Sequence, residues 1–225
     1  MVPEKERTGW KRELVEGCRE LGLDITDGQI EAFETYRRMI RQWNRLADLV
    51  SPGDLTRLAS RHFLDSLSLL RLLIPLRGAR VLDVGSRGGF PGLPVKICCP
   101  GIDLTLLEPH EKSWFFLRDV VTSLSLQPVT LLRERAQSLH KTHRAADRFD
   151  LVLARALAPL ERLVEICFPL VRPGGLLVAY KGRRAQKEMV PARSIIQASN
   201  GQAIAVPVKV PGLTAKRFLI FLQRL

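Results

Sequence analysis

The 225-residue chain predicts an α/β fold: a doubly wound, seven-stranded sheet with one reversed strand near its edge, preceded by a helical extension. Three observations carry this reading. Before residue 80 the apolar residues recur only at helical steps, with no strand pattern. From residue 80 onward, short β-rich runs alternate with helical stretches, as in successive βαβ units. The last two runs are separated only by the turn-like "PGLTA", which makes them an antiparallel hairpin.

In chain order, residues 9–22 and 27–48 read as amphipathic helices. Ile30, Phe33, Tyr36 or Arg37, Ile40, Trp43 and Leu46 form the apolar stripe of the second, and Thr26-Asp27-Gly28 supplies its cap. "SPGD" (51–54) is a turn, and 55–74 a leucine-rich helix. The strands are "RVLDV" (80–84), "DLTLL" (103–107), "PVTLL" (128–132), "DLVLA" (150–154), "GLLVAY" (175–180), "AIAVPVKV" (203–210) and "KRFLIFLQ" (216–223). The expected division is a helical extension over 1–76 packed on a core over 77–225.

Apolar residues make up 46% and charged residues 26%, the balance of a soluble globular protein. No apolar run approaches the roughly 20 residues of a membrane-spanning helix, and the first residues are too charged for a signal peptide. A cytoplasmic protein with no membrane partner is expected, and nothing in the sequence requires more than a monomer. Cys18, Cys98, Cys99 and Cys167 form no C-x-x-C pair, and His140 and His143 have no carboxylate at metalloprotease spacing, so no metal site is expected.

The net charge of +12 is uneven. Residues 1–79 carry 13 Lys/Arg against 12 Asp/Glu, residues 80–150 carry 10 against 8, and residues 151–225 carry 12 against 3. A basic surface of that density attracts a polyphosphate backbone. It favours a nucleic-acid partner over a merely soluble basic face.

"VLDVGSRGGFPGLPVK" (81–96) places three glycines in five positions after the first strand. In open α/β sheets, ligands bind beyond the carboxyl ends of the strands at the switch point. From Gly85 the third and sixth positions are Arg87 and Phe90, so a dinucleotide fingerprint fails, and no G-K-S/T follows for a P-loop. A nucleoside ligand without phosphates fits better. Glu108 closes the second strand, where an acid can accept hydrogen bonds from both ribose hydroxyls; the other reading is a solvated carboxylate in the polar turn "EPHEK".

The glycine motif, "RHFLDSL" (61–67), "DLVLARALAPL" (150–160) and "AYKG" (179–182) together resemble the RsmG/GidB family, from about residue 30 to the end. The resemblance implies a Rossmann-like methyltransferase sheet and S-adenosyl-L-methionine as cofactor. It also implies N7 methylation of guanine in small-subunit (16S) ribosomal RNA, free or within the subunit. It places the cofactor against Gly85 and Phe90, with Ala136 and Gln137 beside the adenine, and Arg155 at the cofactor and active site. Lys181-Gly182 matches the family K-G. Two departures stand out: Arg87, where the family commonly has a small residue, and Gln137, where it commonly has Glu.

Guanine N7 attacks through an in-plane lone pair, so no general base is required, and the expected contribution is alignment. Arg155 is therefore expected to bind the cofactor carboxylate or hold RNA, a helix-start ion pair being its structural alternative. Arg61 and His62 are candidate RNA-site residues; the duller reading is a helix with Asp65 and Ser66 facing out. Lys181, Arg183 and Arg184, with Lys187, form the densest basic cluster of the C-terminal third and could contact phosphates. Trp114, Phe115 and Phe116 read as core, leaving Phe90 as the stacking candidate.

Overall fold

The computed structural model describes residues 4–73, 76–142 and 149–225, without the side chains of 4–8 and 140–142. His143 and the His140 side chain, considered above for metal binding, lie outside the described set. Among the described residues no helix is long and apolar enough to cross a membrane.

Seven strands form one sheet: β1 (Arg80–Val84), β2 (Asp103–Leu107), β3 (Val129–Leu132), β4 (Phe149–Arg155), β5 (Val171–Lys181), β6 (Gly201–Val208) and β7 (Arg217–Arg224). Their order is β3-β2-β1-β4-β5-β7-β6. β7 runs antiparallel to both neighbours, and every other pairing is parallel. The first strand in sequence is thus central, and the order reverses between β1 and β4. That crevice is the switch point where such sheets bind ligands.

Alternation along the strands sends side chains to two cores. Val81, Leu151 and Leu153 face α1 (Glu4–Glu20), α2 (Asp27–Ala47), α4 (Gly92–Cys98) and α5 (Glu111–Ser123). Leu82, Val84, Val152 and Ala154 face α6 (Ala136–Thr142), α7 (Leu160–Cys167) and α8 (Ala185–Ala198). The central strands are buried on both faces, which is why they read as unbroken apolar runs. At the opposite end of the sheet, Lys96 is buried and donates to the carbonyls of Pro100, Ile102 and Gln127 at 2.6–2.9 Å. That cage stabilises a charge which burial would otherwise disfavour.

The helical start follows the capping signal: Thr26 Oγ1 accepts from Gln29 N, and the Gln29 side chain accepts in return from Thr26 N. Trp10 and Leu14 on α1, and Phe33, Tyr36 and Ile40 on α2, bury into the first core. Residues 55–74 depart from the expected uniform helix. A π-helical turn over Ala59–Leu64 runs into the one-turn α3 (Asp65–Leu67) and a 3-10 turn over Ser68–Arg71. π turns recur at functional sites because they release backbone carbonyls from the regular ladder.

Two further departures concern boundaries and packing. β5 begins at Val171, because that residue pairs with Phe149 before the register jumps and resumes at Leu151 with Leu176. Phe116 is fully buried as expected of core. Trp114 and Phe115 are only half-buried, with the Arg118 guanidinium 4.9 Å from the Phe115 ring.

Candidate active site

The glycine loop after β1 is held by its own backbone. Gly85 N and Ser86 N donate to Leu107 O at 2.8 and 3.2 Å, Gly89 N and Phe90 N to Ser86 O, and Arg87 N to Glu108 Oε2 at 2.7 Å. Five of the six amides from Gly85 to Phe90 are therefore spent inside the protein, and none of these five is available to a phosphate. Gly85 stands at φ +72°, and a Cβ there would lie 2.9 Å from Leu157 Cδ1. The bare position sits directly under the segment that follows β4, where Ala156 is left-handed at φ +52°.

Glu108 is 2% exposed. This overturns the solvated-turn reading. Beyond Arg87 N on Oε2, its Oε1 accepts from His110 N at 2.8 Å and lies 2.7 Å from His110 Nδ1. Three of about four lone-pair positions are taken. The His110 ring, however, is 79% exposed and can leave. A pair of ribose hydroxyls could replace it without disturbing the backbone partners, so the strand-end acid fits a nucleoside cofactor.

Arg87, unexplained by the sequence, adopts φ +43° and reaches outward. Its side chain donates to Asp48 O at 2.8 Å and Asp48 Oδ2 at 2.6 Å. Asp48 is the left-handed C-cap of α2. The residue thus joins the loop to the helical extension, as does Tyr36, whose hydroxyl donates to Gly88 O. Phe90 is buried among Tyr36, Phe63 and His62, with ring centroids at 5.6, 6.0 and 4.6 Å. It anchors the loop from below rather than offering an open face for a base.

Arg155 ends β4 beside the π turn. Nη2 donates to Arg61 O at 2.8 Å and approaches His62 Nδ1 at 3.1 Å, Nη1 lies 3.4 Å from Ser66 Oγ, and Nε is 3.3 Å from Asp65 Oδ2. Arginine has no acceptor, so His62 Nδ1 accepts and its proton sits on Nε2, which lies 3.6 Å from Asp54 Oδ2. Burial first, then the adjacent Arg155 charge, pushes the His62 pKa down to about 3. A neutral, occupied imidazole of that kind is not a base at physiological pH. Arg155 spends its donors on the 61–66 segment, so it ties the sheet to the extension.

Asp65 and Ser66 are buried, against the outward-facing reading, because the π turn rotates them toward the sheet. Asp65 also meets Arg217 Nε at 3.1 Å on Oδ1, and so lies between two arginines. Burial raises Asp83, at the end of β1, to about 7; its Oδ2 accepts from Gly92 N at 3.0 Å while Oδ1 is buried without a partner.

Beside this cluster opens a cavity of about 430 Å³ whose walls include Asp65, Arg155, Leu157, Lys181, Glu188 and Arg217. Leu157 is common to the cavity wall and to the cover over Gly85. The glycine turn and the cavity thus lie one side chain apart. Lys181 Nζ donates to Ala158 O at 2.6 Å and Glu188 Oε2 at 2.7 Å, which places it inside the wall, not on the outer surface. Arg183 and Arg184 are exposed beyond it and form no ion pair among the described residues. Arg61 is half-buried, 3.3 Å from Asp54. Ala136 is buried at the start of α6, and Gln137 is exposed beside it.

Sequence reasoning missed Asp65, Arg217 and Glu188. A lone acid in a leucine-rich helix was the available signal for Asp65. Arg217 and Glu188 read as ordinary surface charges until the fold brings them to one wall.

Residues 29–217 match the GidB family, rRNA small subunit methyltransferase G. Ribosomal RNA small subunit methyltransferase G of Roseiflexus castenholzii is 38% identical over 212 residues, covering 94% of this chain and 90% of that one. Its namesake from Pelotomaculum thermopropionicum is 35% identical over 214 residues, covering 94% and 89%. Among solved structures, a Corynebacterium glutamicum protein aligns with a TM-score of 0.58 at 17% identity, over 97% of this chain and 98% of that one. Pyrococcus horikoshii TYW2 in complex with MeSAdo aligns at 0.54 and 9% identity, over 77% and 63%. At such identities the likeness is one of fold. The family match spans most of the chain, and the relatives agree with it along nearly their whole length: this chain belongs to the GidB family of rRNA small subunit methyltransferases G.

Proposed function

We propose that the protein methylates N7 of a guanine in small-subunit (16S) ribosomal RNA, with S-adenosyl-L-methionine as methyl donor, acting as a cytoplasmic monomer. The observation that carries this reading is the pairing of glycine turn and cavity at the switch point. A glycine turn with a buried strand-end acid lies one side chain, Leu157, from a cavity walled by arginine, lysine and carboxylates. Residues 1–76 would serve as an extension that braces the methyltransferase core of 77–225.

The bound cofactor would supply an electrophilic methyl group on a sulfonium. Gly85 would leave room for it, Glu108 would accept its ribose hydroxyls, and Ala136 with Gln137 would border its adenine. Phe90 would hold the loop in shape, and Arg155 would tie the end of β4 beside the site to the 61–66 segment. His62, neutral and occupied, fits a reaction that needs no general base. Arg61 and His62 would shape the RNA side from the extension. Arg183 and Arg184, exposed and without an ion pair among the described residues, suit phosphate contacts, with Lys181 behind them as a wall residue.

The test is transfer of labelled methyl from S-adenosyl-L-methionine to small subunits lacking the modification, with naked RNA alongside, mapped by cleavage selective for N7-methylguanine. Stoichiometric label at one guanine is expected. Tight cofactor binding without label on either substrate would point to another acceptor or to a non-catalytic binder.

A further inference from the structure

N7 is present in adenine as well as guanine, with the same in-plane lone pair. Placing N7 in line with a methyl donor therefore does not by itself select guanine. Selection must come from the edge of the base that differs. Guanine presents two donors there, N1–H and the N2 amine, whereas adenine presents an acceptor at N1. O6, beside N7, is an acceptor where adenine carries a donor, but the N1/N2 edge is where guanine offers two donors. A group that reads that edge accepts two hydrogen bonds, and a carboxylate is the side chain suited to it.

Two carboxylates line the cavity, Asp65 and Glu188. Asp65 is committed, with Arg155 on Oδ2 and Arg217 on Oδ1. Glu188 is committed on one side only. Its Oε2 accepts from Leu160 N at 2.9 Å and from Lys181 Nζ at 2.7 Å, and Oε1 has no hydrogen-bond partner among the described residues. A carboxylate offers about four lone-pair positions. The two donors on Oε2 use that atom's share, leaving two acceptor positions on Oε1. The count matches the two donors of guanine. Lys181 on β5 and the Leu160 amide at the start of α7 both hold Oε2, so the free oxygen is positioned by two rigid elements.

We propose that Glu188 is the specificity-determining residue, its Oε1 accepting from guanine N1–H and N2–H in the cavity. The proposal rests on the guanine-N7 reading of the protein. It also gives Lys181 a positioning role through Glu188, in place of a direct phosphate contact.

The substitution Glu188→Gln tests this at the relevant atom. A glutamine oxygen can still accept from Leu160 N and Lys181, while its amide nitrogen replaces Oε1 with a donor. That donor faces guanine's own donors but complements adenine N1. Methyl transfer is measured on small subunits reconstituted with RNA carrying guanine or adenine at the target position, together with thermal unfolding and cofactor affinity. For E188Q, kcat/KM on guanine should fall about 10- to 100-fold, the scale of one good base-edge contact. Activity on adenine should hold or rise, so that the guanine-to-adenine ratio collapses. An equal loss on both bases, or an unchanged ratio, would overturn the proposal and leave Glu188 as a cap for α7. If the variant unfolds, Glu188→Asp provides the second arm: shorter by one methylene but still an acceptor, it should lose rate while keeping the preference for guanine, and a lost preference counts against the proposal. Wild-type protein that labels no guanine would defeat the functional reading itself, which separates that failure from this one.

Discussion

The glycine-loop half of the site and the cavity half are built in opposite ways. The first is nearly contiguous: residues 83–92 and Glu108 supply it, and backbone hydrogen bonds set its shape. The second is gathered from five separate elements, with Asp65 before the sheet, Arg155 on β4, Lys181 on β5, Glu188 on α8 and Arg217 on β7. Backbone geometry holds one half and charge pairing the other. The shape of the cofactor side should therefore depend on its backbone, and that of the acceptor side on its charge pairs.

The sharpest way to break that contrast is Asp65→Ala. It would leave Arg155 and Arg217 without their shared carboxylate in a mostly buried position. Removing one partner of such a group typically costs about 3–5 kcal/mol. Urea unfolding should show a loss of that size; a loss below about 1 kcal/mol would mean that charge pairing does not hold the cavity together.

The next test concerns Asp83, where the loop half does contain a buried acid. Its pKa lies at about 7 in the folded protein against an ordinary 3.8, chiefly through burial. A raised folded value means that its stabilising contribution is present below 3.8 and is lost as the pH climbs through about 7. Asp83→Asn removes that loss. Relative to the parent protein, the variant should gain about 2–4 kcal/mol between pH 4 and pH 8. Parallel stability profiles would show that the carboxyl is already ionised.

The smallest effect is expected at Arg87. Its side chain and Asp48 are both largely exposed, and exposed pairs contribute about 0–1 kcal/mol. Arg87→Ala keeps the amide that positions Glu108 and should weaken cofactor binding no more than about fivefold, an effect erased by high salt. A larger, salt-independent loss would make the Arg87 link to α2 part of the cofactor site proper.

This contrast also explains what could be read from the sequence. The strands and the reversed strand of the hairpin were legible because short β-rich runs and the hairpin turn are local signals. So was the glycine loop, since Gly85 and Gly89 fill left-handed positions within one short motif. β5 was placed too late because Pro173-Gly174 interrupts the apolar run, while Val171 ahead of them pairs with Phe149. Asp65 and Ser66 were misjudged because uniform helical spacing puts them outward, and only the π turn brings them in. Arg217 and Glu188 carried no local signal, since their partners lie 152 and 7 residues away on other elements. Arg155 was legible as a site residue by its place at a strand end, but its partners in the helical extension were not.

The claim that cofactor and RNA occupy separate halves is tested most directly by two affinities measured on two variants. For Glu108→Gln, cofactor affinity should fall about 10- to 100-fold, as for a lost charge-assisted hydrogen bond, with RNA affinity within twofold of the parent. For the double variant Arg183→Ala with Arg184→Ala, cofactor affinity should be unchanged. Its RNA binding should weaken, with a salt dependence reduced by about two units of slope. Loss of RNA affinity in the first variant, or of cofactor affinity in the second, would contradict the division of the site.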